Sequence, residues 1–194
     1  MSGRSPLAKD LSAGEPSART WVIQPCGSGG LPSSWTEVSS LIAEHARDQI
    51  QEYPEIDPVR LRVLAPWRTL VEKLLLLHTA HIVEDPDAAR RGARHYYDVH
   101  QLLARPEIVD GIRSDGIAIL SRDVCTYSNA AEMPAQPRPT GGFATSPAFT
   151  DGVHLAVART AYNQSVLAQL VWPGADPPSF DQCLAAAQNH RENL

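Results

Sequence analysis

The sequence predicts a mainly helical α+β chain, and three observations predict it. Residues 65 to 103 carry apolar side chains at helical spacing through two successive stretches. Strand-like runs are short and confined to the first third, at Thr20–Gln24 and Leu61–Leu64. Helical spacing then returns after residue 150 and again after Ser179. At 194 residues the chain suits one domain or one and a half, large enough to bury a core without disulfide staples.

Taken in order, residues 1 to 18 mix Ser, Gly, Pro and isolated charges without periodicity, the composition of a disordered start. Thr20–Gln24 reads as a strand stopped by Pro25, and Cys26–Gly30 as a glycine-rich turn. Ser39–Gln51 is amphipathic enough for a short helix, and Leu61–Leu64 reads as a strand leading into Pro66. Pro66 suits a first helical turn because it lacks the N–H that would go unused there. Thr69 and Glu72 have capping-box spacing, so the helix is expected to start between Pro66 and Thr69. Leu70, Leu74, Leu77 and His81 draw one buried stripe along it, and Lys73 lies at the edge of that stripe. Such a lysine either lays its stem on the core and its ammonium in water, or holds a charge for an anionic ligand.

A second helix is expected from Arg90 to Leu103, with Ala93, Tyr96, Tyr97, His100 and Leu103 on one face and an Arg94–Asp98 pair four residues apart. Arg105-Pro106 ends it, and one or two short helices follow over residues 107 to 120. Residues 126 to 150 are rich in Pro, Gly, Ser, Thr and Ala and read as a long ordered loop anchored by Phe143 and Phe149. A helix is predicted from Asp151 to Leu170, with Val153, Val157, Tyr162, Val166 and Leu170 on one face. A last one starts near Phe180 behind an N-cap at Ser179.

Composition excludes several classes. A net charge of −5 leaves no broad basic surface for nucleic acid, so any RNA contact is local. The cluster Arg90, Arg91, Arg94 and Arg105 either meets phosphate or forms a solvated face. Cys26, Cys125 and Cys183 are few and lack C-x-x-C pairing, which predicts a reduced protein without structural zinc. The seven histidines show no ligand spacing, so His78 and His81 are expected to pack. The greasiest run, Leu74–Leu77, is too short to span a bilayer, so no membrane association and a soluble, cytoplasmic protein are expected.

The block V-L-A-P-W-R-T-L-V-E-K-L-L-L-L-H (63 to 78), followed by R-H-Y-Y-D-V-H-Q-L-L (94 to 103), resembles the later motifs of the nucleotidyltransferase AbiEii/AbiGii toxin family. The stretch from Trp21 to Glu44 and the C-terminal P-P-S-F-D block resemble the same family. The resemblance implies catalytic roles for Lys73 and Asp98 and nucleotide binding by Arg68, Lys73 and Arg94. It implies an NTP substrate, Mg²⁺, an acceptor such as tRNA, and a cognate antitoxin that restrains the toxin. It further implies a partial nucleotidyltransferase α/β lobe over 19 to 65, with a strand remnant packed on a helical lobe over 66 to 194. No metal ligands are assigned. The family's Gly-Ser and D-x-D carboxylates have no counterpart near Gly27-Ser28, where the next acids are Glu37, Glu44 and Asp48, and Gln24 stands where relatives tend to carry an acid. The expectations are therefore two: a toxin transferring NMP from NTP to tRNA or another acceptor, or a truncated, non-catalytic remnant acting as a binding or antitoxin-interaction module.

Overall fold

The computed structural model describes residues 32 to 41, 43, 57 to 83, 85 to 133, 135 to 170 and 175 to 194. The Thr20–Gln24 strand, the glycine-rich turn, Gln24 and nearly all of the Ser39–Gln51 helix lie outside them. The described architecture is α+β and mainly helical, with a two-stranded antiparallel sheet toward the N-terminus. Two compact units divide the chain.

The smaller unit contains Trp35–Arg62 and carries most of the sheet, β1 (Ser33–Val38) paired with β2 (Val59–Leu64). Strand β2 starts two residues before the predicted Leu61. Strand β1 was not legible: SSWTEV is polar, and five of its six residues are exposed, so no buried alternation marks it. The Arg60 guanidinium lies 5.9 Å from the Trp35 ring centroid and covers one of its few apolar side chains. At the start of residues 41 to 43, the Ala43 N–H donates to Ser40 Oγ at 3.0 Å, a short N-cap contact.

The larger unit, containing residues 63 to 194, is built on α1 (Pro66–Ile82). It begins where the proline predicted, behind Ala65, but without the capping box, because Glu72 turns along the helix to Arg68 instead. Leu70, Leu74 and Leu77 are almost fully buried, as are Val71 and Leu75, so the apolar stripe is wider than its heptad positions. Each such side chain contributes about 1.5–3 kcal/mol of burial, which is why this helix forms the centre of the unit.

The helix expected over 90 to 103 is two helices, α2 (Pro86–Gly92) and α3 (Arg94–Leu103), broken at Ala93. Gly92 is a poor helix former, and the Ala93 N–H closes a tight turn onto the Arg90 carbonyl before the chain restarts. Asp85 caps α2 by accepting from the Asp87 N–H at 2.8 Å. On α3 the buried face is His95, Tyr96, Val99 and Leu103, joined by Ala93. Tyr97 and His100 are only partly buried.

Helices α4 (Pro106–Asp115) and α5 (Ile117–Ala130) follow the predicted break at Pro106. Helix α5 runs on to Ala130, inside the stretch that composition marked as loop, and the Ala131 N–H still closes onto the Tyr127 carbonyl at its end. Beyond it the chain crosses irregularly to a single 3₁₀ turn (Phe143–Thr145). Phe143 and Phe149 are the buried anchors the sequence predicted. Gly142, at φ +87°, permits the turn, since a side chain there would be strained and would meet the Leu194 backbone at 3.0 Å. The Phe143 N–H then donates to the Leu194 carbonyl.

Helix α6 (Leu155–Ala161) starts later than Asp151 and passes through one π-helical turn (Tyr162–Val166) into α7 (Leu167–Leu170). Val153 therefore precedes the helix and is 82 % exposed, while Tyr162 and Val166 are buried as expected. Helix α8 (Phe180–Asn189) opens on a complete capping box between Ser179 and Gln182. Its Phe180 packs 4.6 Å from the Tyr96 ring centre, joining α8 to α3. Among the described residues no helix is long and apolar enough to cross a membrane.

Candidate functional site

Two helices of the larger unit bring opposite charges together. Lys73 projects from the middle of α1 and Asp98 from α3, and the Lys73 ammonium lies 3.6 Å from Asp98 Oδ2. Asp98 is also 3.1 Å from His95 Nδ1, one helical turn earlier. The Arg94–Asp98 pair expected from i,i+4 spacing does not form: the aspartate faces inward to His95 and Lys73, and Arg94 is exposed. The His95 hydrogen bond, with Lys73 adding its charge, holds the Asp98 carboxyl below the usual carboxylate range despite partial burial that works the other way. Asp98 is consequently an anion at neutral pH, an acceptor of hydrogen bonds rather than an acid. With Asp98 40 % exposed, its pairing with Lys73 contributes only about 0.2–1 kcal/mol to stability. The fold does not require this pair.

The pair sits at the side of a cleft of about 550 Å³, walled by Pro66, Trp67 and Thr69 of α1, by Gln101 and Leu102 of α3, and by Arg105, Glu107 and Ile108 at the start of α4. Arg105 stands 4.0 Å from Glu107, a loose pair in which both side chains are exposed.

Arg68 and Arg94 do not line this cleft. Arg68 is fully buried, with Nε 3.3 Å from Glu72 Oε1, Nη1 against Asp123 of α5, and its guanidinium over the Tyr127 ring. It ties α1 to α5. The neighbouring arginines Arg90 and Arg91 are neutralised by Asp87 and Asp85, the reading of a solvated face. Asp85-Pro86-Asp87 is a literal D-x-D, yet outside the cleft the Asp85 carboxylate caps α2 and pairs with Arg91, while the Asp87 carboxylate pairs with Arg90.

Sequence reasoning did not assign His95, Trp67, Gln101, Arg105 or Glu107 to the site. His95 was detectable from its position three residues before Asp98. The others reach the cleft only through helix crossing.

Deeper between the same helices lies a buried polar group. The Tyr96 hydroxyl donates to the Ala148 carbonyl at 2.8 Å and lies 3.0 Å from His81 Nε2. Since the hydroxyl proton is committed to Ala148, His81 donates from Nε2, and its buried Nδ1 has no hydrogen-bond partner among the described residues. Burial, with His154 and His78 nearby, lowers the His81 pKa to about 4. His78 bonds Ser146 at 2.8 Å, so both histidines pack as expected.

A concave, partly apolar cleft where a cation and an anion converge has the form of a small-ligand site. The family model that matches is that of the nucleotidyl transferase AbiEii toxins of type IV toxin–antitoxin systems, over residues 27–186. The chain belongs to this family. Membership makes it a nucleotidyltransferase-like toxin and implies an antitoxin partner. No curated protein and no solved structure matches the chain.

The family generally uses an NTP and a divalent metal. Among the described residues no three His, Cys, Asp or Glu side chains converge to hold a metal. In the cleft, Asp98 Oδ2 is already engaged by an ammonium and an imidazole, and Glu107 is the other carboxylate. These residues do not by themselves make a magnesium site.

Proposed function

We propose that the cleft binds an NTP, with Lys73 on its phosphates, and that the chain acts as a toxin transferring NMP to tRNA or another acceptor. The observation that carries this reading is the Lys73–Asp98 approach at the side of an open cleft. An entering triphosphate competes with Asp98 for the ammonium, which a loose, half-exposed pair yields readily. Asp98, kept ionised by His95, then accepts a hydrogen bond from a substrate hydroxyl and orients it. In the transfer the acceptor hydroxyl attacks the α-phosphate and gives its proton to water, the bond to the β-phosphate breaks, and pyrophosphate leaves with the electron pair. Mg²⁺ is the cofactor that this reading carries over from the family.

The test is incubation of the purified protein with Mg²⁺, α-labelled NTPs and total tRNA. Label on RNA is expected, and should be lost in Lys73→Ala and Asp98→Asn. Unlabelled RNA with every NTP would remove the transfer claim.

A second reading is a non-catalytic module that keeps the nucleotide or antitoxin surface. It is favoured by the lack of D-x-D after Gly27-Ser28, by the capping use of the Asp85 carboxylate and by the pairing of Asp87 with Arg90. It predicts that NTPs still raise the melting temperature while no label is transferred. Indifference to every NTP would leave only partner binding.

A further inference from the structure

Trp67 is held in place at the cleft wall more firmly than a packing residue needs to be. It is only partly buried. Its indole N–H donates to Asp115 Oδ2 at 2.6 Å, from the last residue of α4. One turn earlier on the same helix, a side chain at Gly111 would meet the indole carbons at 2.4 to 2.8 Å, so the ring occupies space that only glycine leaves open. Gly111 and Asp115 are four residues apart and share one face of α4. That face fixes the ring at two points, and Trp67 is among the residues that line the cleft.

From this geometry we infer that Trp67 is the stacking wall for the base of a bound nucleotide. The inference rests on the cleft being a nucleotide site, and adds which part of the ligand goes where. The indole N–H is spent on Asp115, so the ring offers a π surface and no hydrogen bond, the form of recognition that accepts any flat heterocycle. Lys73 lies six residues further along α1, about 9 Å by helical rise, which spaces a phosphate contact away from a base contact. Leu102 and Ile108 supply apolar lining in the same cleft. The site therefore takes a nucleoside triphosphate with its base against Trp67 and its phosphates at Lys73, and reads the base weakly.

The probes are ATP and inorganic tripolyphosphate, each titrated into a protein in which Trp67 is the sole tryptophan after Trp21, Trp35 and Trp172 are changed to Phe. ATP is expected to quench the Trp67 emission saturably and to bind roughly tenfold to a hundredfold more tightly than tripolyphosphate. In the otherwise unaltered protein, Trp67→Ala should bring ATP down to the tripolyphosphate affinity, measured by calorimetry, while leaving tripolyphosphate binding unchanged. Gly111→Ala and Asp115→Ala, which keep the indole but release it, should weaken ATP selectively in the same way, and they carry the comparison if Trp67→Ala does not fold. Equal binding of ATP and tripolyphosphate, abolished by Lys73→Met, would overturn the stacking role and leave the phosphate site standing. Binding of neither probe, or binding indifferent to Lys73→Met, would overturn both.

Discussion

Replacing Tyr96 by phenylalanine removes one oxygen from the centre of the helical unit and keeps the ring packed edge-on to Phe149 and tilted against Phe180. The ring centroids lie 5.8 and 4.6 Å apart, so packing is preserved. What is lost is the hydroxyl that satisfies the Ala148 carbonyl at 2.8 Å and His81 Nε2 at 3.0 Å. Two polar groups are then buried without that partner, each costing about 1–3 kcal/mol, and partial relaxation brings the sum to about 2–4 kcal/mol. For a domain of this size the melting temperature should fall by about 4–16 °C. Urea unfolding followed by circular dichroism, with the two variants compared at one pH, measures the change. A loss below about 0.5 kcal/mol would refute the argument that this hydroxyl joins α1, α3 and the 143 to 150 turn through otherwise unmet groups. Tyr96 precedes Asp98 by two residues and His81 follows Lys73 by two turns, so the same variant should also loosen the approach of Lys73 to Asp98.

Acid should act on the same place. Folded His81 resists protonation down to about pH 4, whereas the unfolded residue takes up its proton near 6.5. Stability is therefore full above pH 6.5 and should fall by up to about 3 kcal/mol between 6.5 and 4. A His81→Gln variant should flatten that slope in urea titrations across pH, and an unchanged slope would assign it elsewhere. Gln188→Ala removes the amide that donates to the Ala144 and Phe149 carbonyls, and should cost about 1–3 kcal/mol and speed proteolysis within residues 143 to 150. Ser179→Ala should cost about 1 kcal/mol by opening the capping box of α8, read as a small drop in the urea midpoint at unchanged slope.

The parts of this fold that were legible in the sequence are those with strong local signals. Pro66 set the start of α1, its leucines set the buried face, Pro106 ended α3, and Ser179 capped α8. Phe143 and Phe149 marked an ordered loop because two large rings in a polar stretch need a core to enter. Strand β1 was hidden because its side chains are exposed on both faces and leave no period. The break at Ala93 was hidden because helical spacing continues across it in phase. At the candidate site, Lys73 and Asp98 were singled out by motif, but spacing alone chose Arg94 as the partner of Asp98 where position on the inward face chose His95. The Trp67–Asp115 bond spans 48 residues and has no local signature.

The irregular crossing from Ala131 to Phe149 has a consequence for how the protein comes into being on the ribosome. The apolar stripe of α1 and α3 is closed by Phe143, Ala148, Phe149 and Phe180, all encoded far downstream. About a hundred residues separate the end of α1 from Phe180, roughly 5–20 s of synthesis during which that stripe has α3 to α5 to pack on but lacks its downstream cover. A nascent chain halted near residue 130 should bind a hydrophobic dye and be cut readily by protease, whereas one extended past residue 190 and clear of the exit tunnel should not.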